Sequence, residues 1–355
     1  MANIFSNSVE NHILKDERFL YPDYVPEKLP FRDEEIEELV FALKPLSVGK
    51  KPTHVFIYGS PGTGKTVSLK FVLKELEEFS DRVKGVYINC FEFSSRHSIL
   101  AKLTNAFGYP VSERGVSTEE IFDRFVAVLK SKKITPFVIF DEAEQLLNDD
   151  SKKLLYDLSR LPEQFKINIG LAFISNDNFF LSKLDDRVRS SLQASSICFE
   201  KYTHVELKEI LNERAKFAFY PNVLSDGVIG LCAAHASKNN GDARVAIDVL
   251  LKSARIAERA NSKKIEAVHV RKSFMQEKVV KVELTSTLSE KEKLILDYLT
   301  KNNGVDSGEI YSALKNKFAE RTLRQAITDL EEKKLIRLEK IQKGKGGFSR
   351  VIFKN

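Results

Sequence analysis

The stretch Gly59-Ser-Pro-Gly-Thr-Gly-Lys-Thr66 has the spacing of a phosphate-binding loop. An apolar run at 53–58 precedes it and a helical apolar pattern follows it, so the loop would join a strand to a helix. Backbone N–H groups of such a turn, at the N-terminus of a helix, can hold phosphate oxygens. Lys65 would reach the β- and γ-phosphates, and Thr66 would bind Mg²⁺ through its hydroxyl group. The sequence therefore predicts that ATP or ADP binds with Mg²⁺ at Gly59, Ser60, Pro61, Gly62, Thr63, Gly64, Lys65, Thr66 and Val67.

Two adjacent carboxylates follow the apolar run 137–140. Asp141 can hold Mg²⁺ through a water molecule, and Glu142 can polarise a water that attacks a phosphate. This acidic pair favours hydrolysis over phosphoryl transfer to a small molecule. The chain has no Asn-Lys-x-Asp motif to recognise guanine, which argues against a GTPase. The two residues therefore predict an ATPase.

Further polar residues could act on the γ-phosphate. Asn176 follows the run 169–174 and would lie in the ligand crevice at the carboxyl ends of parallel strands. Arg187 and Arg189 lie at the end of the same predicted domain, and Arg244 opens a helix in the next one. An arginine suits the spread negative charge of a phosphoryl-transfer transition state. Each arginine could instead form an ordinary surface ion pair.

These residues come together only if a parallel sheet positions them. Apolar runs at 53–58, 85–89, 137–140 and 169–174 alternate with helical patterns, which is typical of an α/β fold with helices on a parallel sheet. The strand runs then cease, and helical patterns predict a small all-helical lid domain. After a capping box at Ser289 and Glu292, three helices and two strands predict a winged helix. The predicted domains are 1–203, 204–284 and 288–355.

Composition is that of a globular chain without a membrane segment. It has 355 residues, 43% of them hydrophobic and 30% charged, and its apolar runs are far shorter than a membrane span of about 20 residues. The first residues do not resemble a secretory signal, so we expect a cytoplasmic protein. Residues 288–355 contain 15 lysines and arginines against 10 aspartates and glutamates, a net charge of +5 out of +6 for the chain. This region could therefore contact a polyanion.

The order of the phosphate loop, the acidic strand end, Asn176 and Arg244 over a helical domain resembles the AAA+ ATPases. Within these, the chain resembles the archaeal replication initiators, which are related to eukaryotic origin-recognition and cell-division-cycle loader subunits. The resemblance rests on the stretches Tyr24-Val-Pro-Glu-Lys-Leu-Pro-Phe-Arg32, Leu184-Asp-Asp-Arg-Val-Arg-Ser-Ser-Leu192 with Phe199-Glu-Lys-Tyr202, and Gly241-Asp-Ala-Arg-Val-Ala-Ile-Asp248.

This resemblance implies roles for several residues of the nucleotide site. Asn176 would be the first sensor and Arg244 the second, while Arg187 is the better candidate for the arginine finger and Arg189 the weaker. Tyr202 and Arg214 match positions that contact nucleotide in the family, and Val25 and Pro26 would flank the base of the nucleotide.

The resemblance also implies an inserted helical element that contacts DNA, within residues 91–118. Its exposed part would be the stretch 108–115, with Tyr109 and Arg114 as the contact residues. A plain surface loop is the alternative interpretation of this stretch.

The predicted winged helix offers a second DNA contact. Leu323, Ile327 and Leu330 repeat at helical spacing and would face the core. The polar residues outside that stripe, which could read bases or contact phosphate, are Arg321, Thr322, Arg324 and Gln325. The stretch Lys343-Gly-Lys-Gly-Gly347 would form the tip of a wing, where Lys343 and Lys345, with Arg350 nearby, would contact phosphates.

The resemblance therefore implies an ATP-dependent initiator that binds double-stranded origin DNA and helps to recruit or load the replicative helicase, with a paralogous initiator subunit as a further partner. The alternative is a regulatory or signalling AAA+ ATPase that acts without DNA and whose winged helix binds a protein.

Overall fold

The computed structural model describes residues 13–111, 115–275, 288–302, 304–315, 317–332, 335–343 and 347–354. The chain forms two compact units, Met1–Ser273 and Phe274–Asn355. None of the helices within the described ranges is long and apolar enough to cross a membrane.

The first unit contains a five-stranded sheet in the order β2-β3-β4-β1-β5, and every strand pairing in it is parallel. The strands are β1 (Val55–Gly59), β2 (Val83–Asn89), β3 (Thr135–Asp141), β4 (Gly170–Ser175) and β5 (Ser195–Phe199). Six residues of β3 and all six of β4 are buried, as expected for strands that are covered on both faces. The predicted α/β fold is confirmed, and the carboxyl ends of β2, β3, β4 and β1 lie next to one another.

Helices cover both faces of this sheet. Helices α1 (Asp33–Leu43) and α2 (Lys65–Phe79) pack on one face, where Leu39 and Leu69 meet Ile57 in a single apolar cluster. The opposite face carries α3 (Arg96–Ala106), α4 (Thr118–Lys132), α5 (Asp149–Ser159), α6 (Leu161–Phe165) and α7 (Asp186–Leu192). Short 3-10 helices occur at Glu17–Leu20, Lys44–Val48, Ala143–Leu147 and Leu181–Lys183. Helix α3 lies inside the range 91–118 and buries Ile99 and Leu103 in the core.

The rest of the first unit is helical, as predicted for the lid. It contains α8 (His204–Ala218), α9 (Val228–Lys238), α10 (Ala243–Arg259) and residues 267–273 of α11, a helix over residues 267–275. A capping box of Thr203 and Glu206 starts α8. The N-terminal segment lies against these helices, because Leu14 pairs with Phe219 and Glu17 forms an ion pair with Arg255.

The second unit has the element order predicted for a winged helix. Its elements are α12 (Glu290–Lys301), β6 (Val305–Asp306), α13 (Ser307–Leu314), α14 (Glu320–Glu332), β7 (Ile336–Lys343) and β8 (Gly347–Lys354). The strands form an antiparallel sheet in the order β6-β8-β7. Leu323, Ile327 and Leu330 of α14 are buried in its core, as their spacing predicts. Glu292 Oε2 accepts hydrogen bonds from the backbone N–H and hydroxyl of Ser289, which confirms the predicted capping pair.

One buried histidine affects the stability of the first unit. The side chain of His54, just before β1, is 2% exposed, and its Nδ1 accepts a hydrogen bond of 3.2 Å from the backbone N–H of Leu171. Burial, assisted by the charge of Lys51, lowers the pKa of His54 to about 4. The folded chain therefore keeps this imidazole neutral where an unfolded chain would take up a proton.

We expect His54 to weaken the fold in acid. Between about pH 6.5 and pH 4 the unfolded state binds a proton that the folded state does not, so stability is present above this window and is lost as the pH falls through it. The pKa difference corresponds to a loss of about 3 kcal/mol, at roughly 1.4 kcal/mol per pH unit. Urea unfolding at pH 7 and at pH 4 should show that the free energy of unfolding falls less between these pH values for His54→Asn than for the wild type. The control is His204→Asn at an exposed position, and an identical loss in all three proteins would contradict the prediction.

Candidate nucleotide-binding site

The loop after β1 depends on glycines in the left-handed region. Gly62 and Gly64 have φ values of +73° and +93°. A Cβ atom on Gly62 would lie 1.7 Å from Asp242 Oδ1, and one on Gly64 would lie 2.6 Å from the hydroxyl of Tyr202. Side chains at these positions would therefore be strained and would also clash. The loop leads directly into the N-terminus of α2, which starts at Lys65.

Lys65 is held inside the loop. Its Nζ donates to the carbonyl oxygens of Gly59 and Ser60, both at 2.8 Å, and to Asn176 Oδ1 at 3.0 Å. Burial lowers the pKa of Lys65 to about 8, although the charge of Asp141 acts in the opposite direction. The structure thus brings together Lys65 and Asn176, two residues that the sequence placed in one site. An ammonium group with three nearby oxygens can turn to a phosphate without losing all of its partners.

The Asp141 carboxylate lies directly beside the loop. Its Oδ2 accepts hydrogen bonds from the hydroxyl of Thr66 at 2.8 Å and from the hydroxyl of Tyr87 at 2.7 Å. Its Oδ1 accepts from the backbone N–H of Glu142 at 2.9 Å. The structure thus brings Thr66 and Asp141 together. Tyr87 was not predicted, and only the register that sets β2 beside β3 brings it here.

Glu142 shares its surroundings with a second glutamate. Glu142 adopts a left-handed backbone with φ +55°, which is uncommon for a residue other than glycine. Burial raises the pKa of Glu142 above its ordinary value, and the charge of Glu144 and a hydrogen bond with it act in the same direction. Glu144 Oε2 accepts a hydrogen bond of 2.6 Å from the hydroxyl of Ser175 at the end of β4. Glu144 is therefore a further residue of the site that sequence reasoning missed.

The turn before α10 contacts the phosphate loop. The backbone N–H of Ala243 donates to the carbonyl oxygen of Gly62 at 3.1 Å. Arg244 forms an ion pair of 3.2 Å with Asp242, its side chain is 57% exposed, and its charge contributes to the lowered pKa of Lys65. The predicted second sensor therefore lies near the loop lysine and forms an ion pair in which only the arginine is exposed.

Arg32 ties the loop to Tyr202. Its guanidinium group lies 4.0 Å from the centre of the Tyr202 ring, and its Nε donates to the carbonyl oxygen of Thr63 at 3.0 Å and to the Tyr202 hydroxyl at 3.1 Å. It also donates to the carbonyl oxygen of Glu200 and forms an ion pair with Glu35. One face of the buried Tyr202 ring is thus covered by Arg32. Arg32 ends one of the family-like stretches, but no role for it was predicted from the sequence.

Arg214 holds the chain segment that precedes Val25 and Pro26. Its guanidinium donates to three backbone carbonyl oxygens, those of Phe19 at 2.9 Å, Tyr21 at 3.4 Å and Tyr24 at 3.3 Å. It also lies 4.9 Å from the centre of the Tyr24 ring, and burial lowers its pKa. Val25 and Pro26 are half-buried. In this structure Arg214 therefore positions the segment predicted to flank a base.

The two candidate finger arginines lie on the exposed side of α7. Arg189 forms an ion pair with Asp186. Within the described residues, Arg187 has no ion pair, and neither arginine hydrogen-bonds to the phosphate loop. Such an arginine can serve a site on another molecule, which is the geometry that a finger supplied in trans requires.

The predicted DNA contacts of the first unit lie before α4. Tyr109 is 42% exposed, and the guanidinium of Arg124 lies 5.7 Å from the centre of its ring. Arg114 lies outside the described residues.

The predicted DNA contacts of the second unit are mostly exposed. Arg321, Arg324, Gln325 and Arg350 are exposed and Thr322 is half-buried. Arg324 forms an ion pair of 2.6 Å with Glu320, and Gln325 Nε2 donates to Asp329 Oδ1 at 2.8 Å. Lys343 is the last residue of β7, although its side chain is not among those described, and Lys345 lies outside the described residues.

Two family models match the chain. The model of an AAA domain matches residues 49–179, and that of a Cdc6 AAA+ ATPase-type lid domain matches residues 208–275.

Curated relatives match almost the full length of the chain. It is 36% identical over 365 aligned positions to ORC1-type DNA replication protein 1 of Sulfurisphaera tokodaii, covering 98% of this chain and 92% of the relative. It is 34% identical over 363 positions to the ORC1-type DNA replication protein of Pyrococcus abyssi, covering 96% and 87%.

Solved structures show the same likeness. The Aeropyrum pernix ORC1 protein, solved in complex with DNA, matches with a TM-score of 0.74 and 30% identity, covering 97% of this chain and 94% of that one. Cdc6p from Pyrobaculum aerophilum matches with a TM-score of 0.67 and 25% identity, covering 96% and 95%.

The pairing of Glu142 with Glu144 predicts the pH dependence of nucleotide hydrolysis. A carboxylate that polarises water must be deprotonated, and Glu144 raises the pKa of Glu142. Glu144→Gln should lower that pKa, so the acidic limb of the rate against pH should shift to lower pH. Glu209→Gln, at an exposed position on α8, is the control and should leave the limb in place. An acidic limb that stays or moves to higher pH in Glu144→Gln would show that Glu144 does not control Glu142.

Proposed function

Because the chain belongs to the family of ORC1-type DNA replication proteins, we propose that it is an ATP-dependent replication initiator that binds double-stranded origin DNA. The observation that carries this proposal is the nucleotide site, in which Lys65, Thr66, Asp141 and Asn176 are joined by hydrogen bonds within a chain that matches these relatives over nearly its whole length. The AAA+ site makes the protein an ATPase, and its second unit supplies the predicted DNA-contacting surface.

The donor set beside the loop fits Mg²⁺. Thr66 donates its hydroxyl proton to Asp141, so the lone pairs of its oxygen are available to a cation. Hydroxyl and carboxylate oxygens are the hard ligands that Mg²⁺ prefers. We therefore assign Thr66 as a direct ligand and Asp141 as a ligand through water. When bound, the ion would neutralise charge on the β- and γ-phosphates.

The remaining residues of the site would support hydrolysis. Glu142 would polarise the attacking water, and Asn176, already bonded to Lys65, would orient it against the γ-phosphate. Arg244, whose side chain is 57% exposed, would exchange its partner Asp242 for the γ-phosphate, since an ion pair open to solvent is worth only about 1 kcal/mol or less. Arg187 would act on the site of a neighbouring subunit. Hydrolysis would then serve as a switch between states of the initiator.

Exposed arginines support DNA binding by the second unit. Arg321 and Gln325 lie in the N-terminal half of α14 and can reach base edges if this helix enters the major groove. Arg350 on β8 and the lysines of the wing can contact phosphates without reading sequence. The Aeropyrum pernix ORC1 protein, which this chain matches, was solved in complex with DNA.

Other partners follow from this role. A paralogous initiator subunit could share the DNA and provide or receive the finger Arg187. The replicative helicase would be the protein that the DNA-bound initiator recruits. Binding to origin DNA would place the protein at the nucleoid.

Glu142→Gln should separate nucleotide binding from turnover. The amide keeps the shape of the side chain but cannot accept a proton, so ATP should bind with nearly unchanged affinity while phosphate release falls by roughly 100-fold or more. Lys65→Ala should instead lose nucleotide binding. Fluorescent-nucleotide titration and a phosphate-release assay measure the two effects, with Glu209→Gln as the control. Continued hydrolysis by Glu142→Gln would remove Glu142 from its role.

Variants at two groups of predicted DNA contacts should change DNA binding in different ways. Replacing Lys343, Lys345 and Arg350 with Gln should weaken binding to every duplex about equally. The salt slope, which is the fall in the logarithm of the binding constant against the logarithm of the salt concentration, should decrease by about 0.9 for each lost phosphate contact. Arg321→Ala or Gln325→Ala should instead change which duplex is preferred. Fluorescence anisotropy with origin and non-origin duplexes at several salt concentrations measures both.

The control for the wing is an equal loss of charge in the first unit, the triple replacement of Lys50, Lys74 and Lys84 with Gln. An unchanged salt slope in the wing variant would show that the wing does not contact DNA phosphates. If the wild type bound no duplex at low salt, the initiator proposal would fail, and a regulatory ATPase whose second unit binds a protein would remain.

A further inference from the structure

Tyr87 occupies a position that no motif of the chain requires to be a tyrosine. It lies on β2, where its ring packs in the apolar cluster with residues of α2. The ammonium group of Lys70, one turn after Thr66 on α2, lies 4.5 Å from the centre of this ring. A phenylalanine would fill the same space, so the packing does not account for the hydroxyl group.

The hydroxyl group of Tyr87 reaches the carboxylate of the proposed metal site. It donates to Asp141 Oδ2 at 2.7 Å, and the same oxygen accepts from Thr66 at 2.8 Å. The other oxygen, Oδ1, accepts from the backbone N–H of Glu142 at 2.9 Å. Three donors therefore hold both oxygens of Asp141, one on α2, one on β2 and one in the backbone just after β3.

We propose that Tyr87 is a positioning residue for the metal ion, which it serves by fixing the Asp141 carboxylate against Thr66. The inference rests on the proposed function, in which Thr66 and Asp141 hold Mg²⁺. It adds a residue from β2, a strand that contributes nothing else to the predicted site.

The need for such a donor follows from the flexibility of aspartate. The terminal torsion of an aspartate side chain is broad, so a carboxylate held by fewer donors can turn its oxygens away from a ligand position. Groups that hydrogen-bond to a metal-bound carboxylate orient it, and their loss commonly reduces metal affinity by 10–100-fold. Tyr87 is suited to this role because its ring is held by α2 and β2, so its hydroxyl has little freedom to move.

The hydrogen bond of Tyr87 agrees with this role. Its hydroxyl group donates to Asp141 Oδ2 at 2.7 Å. Its oxygen retains lone pairs that can accept a hydrogen bond from water held by the metal.

Tyr87→Phe tests the proposal, because it removes only the hydroxyl group and keeps the ring over Lys70. Binding of fluorescent ADP is measured first in EDTA and then during a titration with Mg²⁺. We expect unchanged affinity in EDTA and a Mg²⁺ half-saturation concentration raised by about tenfold. The increase in melting temperature that Mg²⁺ adds to that given by ADP alone should become smaller.

Tyr58→Phe is the matched control, since Tyr58 is also a strand tyrosine but its hydroxyl group interacts with Cys198. It should behave as the wild type. In a background of Asp141→Ala, adding Tyr87→Phe should no longer change the Mg²⁺ half-saturation, because the acceptor that Tyr87 positions is then absent.

Each contrary outcome has a distinct meaning. An unchanged or lower Mg²⁺ half-saturation in Tyr87→Phe overturns the positioning role, and so does an equal loss of ADP affinity in EDTA, which would show a structural role instead. A wild type that binds no ADP overturns the proposed nucleotide site itself. A wild type whose ADP affinity ignores Mg²⁺ overturns the metal site and the role of Tyr87 with it.

Discussion

The hydrogen bond from Thr66 to Asp141 joins the loop after β1 to the end of β3, and the rest of the site depends on this link. In the sheet, β4 lies between these two strands. The loop can reach Asp141 only by passing the end of β4, and there Lys65 meets Asn176. On the far side of β3, the next strand brings Tyr87 to the same carboxylate. The order of four parallel strands thus makes neighbours of residues that are far apart in the sequence. At the other end of the sheet, His54 and Leu171 are separated by 117 positions and share a hydrogen bond.

The same loop also carries the contact with the helical part of the first unit. Gly62 accepts a hydrogen bond from Ala243, and Asp242 fits beside Gly62 because that residue has no side chain. A Cβ atom on Gly241 would lie 2.5 Å from the carbonyl oxygen of Tyr202, so this turn too depends on a glycine. Any displacement of the loop by a phosphate would therefore move the start of α10 directly. Because the Arg244 side chain is 57% exposed, its ion pair with Asp242 can break at small cost, which would let Arg244 follow the phosphate.

The residues that chemistry requires at fixed local spacing were named from the sequence, and the structure brings several of them together. The glycine loop, the acidic pair and Asn176 all lie at the ends of apolar runs, where a parallel sheet must collect them. The three residues that were missed lack such a local signal. Arg32 reaches Tyr202 across 170 positions of sequence, and Tyr87 reaches Asp141 across 54. Glu144 lies close to the acidic pair, but its contact with Ser175 depends on how β4 lies beside β3. Strand order and register decide these contacts, and no spacing within one segment encodes them.

In the second unit, the apolar residues of α14 that are buried in the core lie on a different side of the helix from the polar residues that are predicted to contact DNA. Leu323, Ile327 and Leu330 are buried and secure the helix, which leaves the opposite side free of structural demands. Two of the polar residues there already have partners on the same helix, Arg324 with Glu320 and Gln325 with Asp329. Exposed pairs of this kind contribute only about 0.3–0.5 kcal/mol each in a helix. A base edge or a phosphate could therefore replace the acidic partner at small cost. Acidic residues on α14 are thus compatible with the DNA binding that we propose for this unit.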